Sequence, residues 1–100
     1  MSVVTREGNV ATISPGQDIV SSMVPEFKQE LNALVAEAST ELRLDLTGVT
    51  MMDSVGIGMI IAAHNSMKKK GGKFVVRNIS DDIMKLFRSM RLDQHLTLAG

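Results

Sequence analysis

Leu44-Asp45-Leu46-Thr47-Gly48-Val49-Thr50-Met51-Met52-Asp53-Ser54-Val55-Gly56-Ile57-Gly58 is the stretch that decides how this chain reads. Its opening closes the alternating run Leu42 to Leu46 and meets a turn signal at Thr47-Gly48, the pattern of a strand end. From Ser54 onward, Ile57, Ile60, Ile61, His64 and Met67 recur at three- and four-residue steps, so a helix is expected over Ser54 to Lys69. A short loop thus joins a strand to a helix and sets Asp53-Ser54 at the helix start. Either residue can cap it; Asp53 is the expected cap. Ser54 then lies in the first turn, where backbone N–H groups point outward and the dipole is positive. A phosphate on Ser54 adds about −1.5 to −2 charges. The helix end tolerates that charge; an acidic partner surface docked there does not. Gly56 and Gly58 each cost about 1 kcal/mol relative to Ala in a helix, and close approach of a partner backbone is the expected use. On spacing alone, an ordinary cap followed by two packing glycines is the favoured reading.

Outward from this stretch, strands and helices alternate. Val3 to Arg6 and Asn9 to Ser14 flank Glu7-Gly8, read as the turn of a hairpin. Ser14-Pro15-Gly16-Gln17 is a break. A helix is expected from about Ser22 to Ala38, with Met23, Phe27, Leu31, Leu34, Val35 and Ala38 on one face. Pro25 is tolerated in its first turn, where its missing N–H has no helical partner. Lys68-Lys69-Lys70 before Gly71-Gly72 ends the next helix, since cations suit the negative pole and Gly accepts the left-handed cap. Lys73 to Ile79 is the following strand. Ser80 caps a third helix that carries Asp81 and Asp82 in its first turn and buries Ile83, Leu86, Phe87 and Met90. His95 to Ala99 is a final short strand. The order ββαβαβα(β) defines an α/β fold with a mixed, mostly parallel sheet and helices packed on it.

Composition narrows the function classes. The 100 residues bound one domain, and 44% are apolar, ordinary for a folded chain. Eleven basic residues balance eleven acidic ones, so no net charge draws the chain to nucleic acid or an anionic membrane. The three aromatics are all Phe, too few for a base-stacking platform. Absence of cysteine excludes disulfides and thiol chemistry. The first residues carry no basic region followed by a long apolar run, so no signal peptide is expected and a cytoplasmic location follows.

The quoted stretch resembles the signature of the STAS family, the bacterial anti-sigma factor antagonists, in which a strand ending Leu-Asp-Leu leads into Asp-Ser-(Ser/Ala)-Gly-Leu-Gly. Ala62-Ala63-His64, Lys69 to Lys73, Met84 to Leu92 and Pro25-Glu26-Phe27 resemble further family segments, so the likeness runs over residues 8 to 98. The resemblance implies a single STAS domain over 1–100 and a non-enzymatic, phosphorylation-controlled switch. Ser54 would be the phosphorylated residue, and Met51, Met52, Asp53, Val55, Gly56, Ile57, Gly58 and Met59 would bind the partner. That partner would be an anti-sigma factor Ser/Thr kinase of the GHKL type, with a Ser phosphatase reversing the modification. Val55 stands where many members carry a second Ser, leaving Ser54 as the one acceptor in the turn. Many members also have a further helix after the point where this sequence stops. Either this is a short variant or a partner covers that flank, and a homodimer is one such arrangement.

Other residues give no convincing catalytic set. Ser54 lacks a Gly-x-Ser-x-Gly elbow, and the two histidines read as a helix-flank residue, His64, and a tail residue, His95. A two-His metal site requires helix and tail to meet. Asp45 and Asp53 could share a cation at the loop mouth, but a strand end and a helix cap explain them. Gly56-x-Gly58 lacks the third glycine of a dinucleotide fingerprint, so neither cofactor nor metal is expected. Two rival functions stay open: a STAS regulator acting on a response-regulator, biofilm or chemotaxis pathway, and a small-ligand module or weak hydrolase using Ser54.

Overall fold

A computed structural model describes residues 2–37 and 40–99. Strands β1 (Val3–Glu7), β2 (Val10–Ser14), β3 (Glu41–Asp45), β4 (Lys73–Arg77) and β5 (Thr97–Ala99) form one sheet in the order β1-β2-β3-β4-β5. The β1–β2 pair is antiparallel; every later pair is parallel. Helices α1 (Val24–Glu37), α2 (Ser54–Lys69) and α3 (Asp81–Ser89) make the three crossovers, and a 3-10 turn at Leu92–Gln94 precedes β5. Right-handed crossovers that all step in one direction put their helices on one face of a sheet. The strands agree. Ala11, Ile13, Leu42, Leu44, Phe74 and Val76 are buried with Phe27, Leu31, Ile60, Ile83 and Phe87 of the helices. Their alternates Thr12, Arg43 and Val75 are only half-buried.

The element order is the one expected from the sequence, and α2 has the expected bounds. The hairpin turn shifts by one residue: Glu7 pairs with Val10, so Gly8-Asn9 forms the turn and Glu7 completes β1. Helix α1 begins later than expected, at Val24, because residues 21–23 form a turn closed by Met23 N–H donating to Val20 O, 3.0 Å. Pro25 falls in the first turn, and the amide of Phe27 donates to Met23 O (3.1 Å). Ala38, expected on the α1 face, lies outside the described residues. Helix α3 ends at Ser89, leaving Met90 as its cap, 47% exposed rather than buried.

Helix α2 is closed at both ends by bonds the sequence foreshadows. Asp53 Oδ1 accepts from Gly56 N–H at 3.0 Å. At the other end Gly71 N–H donates to Lys68 O (3.1 Å) and Gly72 N–H to Met67 O (2.9 Å), a Schellman arrangement made by Gly71 at φ +79°. Lys70 does something else. Its Nζ reaches across to the final turn of α1, donating to Val35 O (2.7 Å) and Ala36 O (3.3 Å). Helix α1 has no basic residue in its own last turn, so Lys70 supplies the cation its carbonyl end favours.

Candidate functional site

The loop between β3 and α2 is built in three steps. Asp45 ends β3, its Oδ1 accepting from Thr47 N–H (2.9 Å), Thr47 Oγ1 (2.7 Å) and Asn78 Nδ2 (3.0 Å). Burial raises its carboxyl pKa, but the bonds from Thr47 and Asn78 outweigh that and hold it below the usual carboxylate value. Next, Val49 N–H donates to Leu46 O at 2.9 Å. Gly48 takes φ +83°, as the third position of a type II turn requires. Val49 is buried and anchors the turn.

The third step was not read from the sequence. Residues 18–21, just before α1, lie alongside residues 50–53. Ile19 bridges Met52 in parallel, with Ile19 N–H donating to Met51 O (3.0 Å) and Asp53 N–H to Ile19 O (3.1 Å). Two carboxylates lock this clasp from opposite sides. Asp18 Oδ1 accepts from Thr50 N–H (2.8 Å), Met51 N–H (3.0 Å) and Thr50 Oγ1 (3.1 Å). Asp53 Oδ1 accepts from Gly56 N–H, and its Oδ2 accepts from Ser21 N–H (2.8 Å). The Thr50 amide on Asp18 and the Gly56 amide on Asp53 are the leading causes that keep both carboxyls below the ordinary aspartate range. Asp45 and Asp53 therefore serve separate sets of donors, and no group of three or more metal-ligating side chains exists among the described residues.

The clasp divides the expected docking residues. Met51 (59% exposed), Val55 (49% exposed), Ser54 and Gly58 face outward, with Asp53 half-buried. Met52, Ile57 and Met59 are buried in the core rather than turned outward with Met51 and Val55. Gly56 is also buried, and its closeness is internal. A Cβ there would meet Ile19 Cγ2 at 2.6 Å, Ile19 O at 2.9 Å and Met52 Cγ at 3.2 Å. A Cβ on Gly58 meets nothing within 4 Å. The first glycine therefore admits the protein's own clasp, while the second leaves an open spot on the surface. Gly58 and Met59 also line a groove of about 240 Å³ between α2 and α1, with Val55, Val24 and Lys28.

In open α/β sheets ligands bind where the strand order reverses. Here it runs from β1 to β5 without reversal.

The fold and this capped loop define a small α/β domain presenting one serine at a helix start. The chain belongs to the STAS domain family, whose model matches residues 1–99. It is 31% identical over 70 residues to the anti-sigma-B factor antagonist of Listeria monocytogenes, covering 70% of this chain and 61% of that one. With that of Bacillus subtilis it shares 35% over 63 residues, covering 63% and 57%. The matched region thus spans about three-fifths of those relatives' length. An anti-sigma factor antagonist from Mycobacterium paratuberculosis has the same fold, with TM-score 0.87 and 24% identity over 98% of this chain and 83% of that one. So has the phosphorylated form of the Bacillus cell fate determinant SpoIIAA, with TM-score 0.76 and 16% identity over 100% and 92%. No described helix is long and apolar enough to cross a membrane.

Proposed function

We propose that this chain is a phosphorylation-controlled protein-binding switch that acts as an anti-sigma factor antagonist. The observation that carries the proposal is Ser54 itself: exposed, first in α2, and set between the outward-facing apolar side chains of Met51 and Val55. Unphosphorylated, the patch of Met51, Ser54, Val55 and Gly58 docks an anti-sigma factor that is also a Ser/Thr kinase of the GHKL type. Asp53 and the buried residues Met52, Gly56, Ile57 and Met59 hold that patch in place from beneath. Phosphorylation of Ser54 releases the partner, and a Ser phosphatase restores binding. The names of the relatives, and the fold shared with a protein solved in phosphorylated form, support this reading.

The electrostatics suit a reversible switch. The α2 amino end attracts negative charge, so a phosphoserine there leaves the helix folded. The same charge sits beside the Asp53 carboxylate and makes the patch strongly anionic. A partner surface that is apolar or acidic then pays desolvation and repulsion it did not pay before.

The test uses the purified chain with the anti-sigma factor kinase from the same cell. Ser54→Ala retains binding and takes up no phosphate; Ser54→Asp keeps its melting temperature and loses binding. Phosphate incorporation into Ser54→Ala at the wild-type level overturns the assignment.

A further inference from the structure

The far half of α2 carries a second feature, unrelated to Ser54. His64 and Lys68 of α2 and His95 of the tail line one groove of about 330 Å³. Helix and tail therefore meet, although 30 residues separate the two histidines in sequence. Ile61, Leu92 and Leu96 supply its apolar part, and Asn65 adds an amide. The volume lies near the lower end of small-molecule pockets, and an apolar lining with a few convergent polar groups is their usual make-up.

The polar lining is one-sided. The one-sidedness is of charge: Lys68 is cationic, no carboxylate lines the groove, and Asn65 and the two imidazoles can each add an N–H donor beside their acceptor atoms. His64 adds an independent constraint. Its Nδ1 is the one buried side-chain N or O atom among the described residues that has no hydrogen-bond partner. A buried N–H without an acceptor is rarer and costlier than an unpaired acceptor. A ring with Nδ1 unprotonated carries its N–H on Nε2, and that nitrogen can donate. A cation finds no anionic ligand here and meets the Lys68 ammonium. An anion with a short apolar body finds both halves of its chemistry.

We infer that the groove between α2 and residues 92–96 is a binding site for a small amphiphilic carboxylate, its anion held by Lys68, His64 and His95 and its apolar body laid on Ile61, Leu92 and Leu96. The site is separate from the Ser54 patch and stands or falls without it.

The experiment is an amide and methyl chemical-shift titration of the full chain with hexanoate, with hexylammonium as a probe of the same body and opposite charge. Hexanoate is expected to give saturable shifts confined to Asn65, Lys68 and residues 92–96, while hexylammonium leaves them unmoved. Lys68→Met, at an exposed position, is expected to weaken hexanoate binding roughly tenfold, as loss of a charge-assisted hydrogen bond does. His64→Leu removes the unpaired nitrogen, so it is expected to fold at least as well as wild type and still bind hexanoate more weakly. Equal shifts with both probes, or none with hexanoate, overturn the inference. So do shifts at these residues that follow protein concentration without ligand, because the groove then holds a second copy of the chain.

Discussion

Replacing Gly56 by alanine sets two effects against each other, and the structure decides between them. Mid-helix Gly→Ala gains about 1 kcal/mol of helix propensity. At Gly56 the new methyl would sit 2.6 Å from Ile19 Cγ2 and 2.9 Å from Ile19 O. The side-chain contact could relax by rotation, but the carbonyl contact could not. Ile19 is fully buried, and its backbone is tied on both sides, to Met51 O and to Asp53 N–H. Relief requires α2 to lift from the clasp, which also pulls Gly56 N–H from Asp53. Overpacking of this kind costs about 1–3 kcal/mol. Allowing for the propensity gain and the weakened cap, a net loss of about 1–2 kcal/mol is expected. For a domain of this size that lowers Tm by about 4–16 °C. Gly58→Ala is the internal control. Its Cβ enters open space, so the same helix should gain up to about 1 kcal/mol. Thermal unfolding followed by circular dichroism, with urea titrations to check that m is unchanged, reads both. A Gly56→Ala protein as stable as Gly58→Ala refutes the reasoning, because the clasp then yields freely to α2.

Arg91, just after α3, holds φ +59° without being glycine; Arg91→Gly is expected to stabilise the protein by about 1 kcal/mol and raise Tm accordingly, and an unchanged or lower Tm counts against strain there. Lys70→Met removes the ammonium from the end of α1, with an expected loss of about 0.5–1 kcal/mol that shrinks in high salt; urea unfolding at two ionic strengths measures it. Asp18, Asp45 and Asp53 all have folded-state pKa values below the ordinary 3.8. Their stabilisation is therefore fully present above that value and is lost as pH falls through the folded values. Unfolding free energy should drop steeply below about pH 4, and less steeply in Asp18→Asn, as denaturant titrations across pH 2–7 will show.

Local signals were the legible part of this protein. The cap at Asp53, the cap at Ser80 and the Lys-Lys-Lys-Gly-Gly ending each depend on residues within a few positions, and helical periodicity fixed both bounds of α2. The clasp was invisible for the opposite reason. It is a bridge of one residue pair, Ile19 with Met52, joined across 33 positions and too short to show alternation. Without it Gly56 looks like an opening for a partner, and Met52 looks as available as Met51. Lys70 misled in the same way, because a cation near one helix end gives no sign that its ammonium reaches another helix. His64 and His95 could be weighed separately, but only the fold shows that they share a groove.

A sheet whose spatial order repeats its chain order has a consequence for synthesis. Each strand after β1 pairs with the strand made just before it, so every new strand meets a partner that has already been translated. The clasp needs only residues 18 to 56. On a ribosome, where domains emerge amino end first, every donor and acceptor of the clasp has been translated before β4 and β5 exist, while the Asn78 bond to Asp45 at the β3 end comes only after β4. The clasp beneath Ser54 is thus specified by residues 18 to 56 of the nascent chain, and the remainder adds the Asn78 bond and the last two strands.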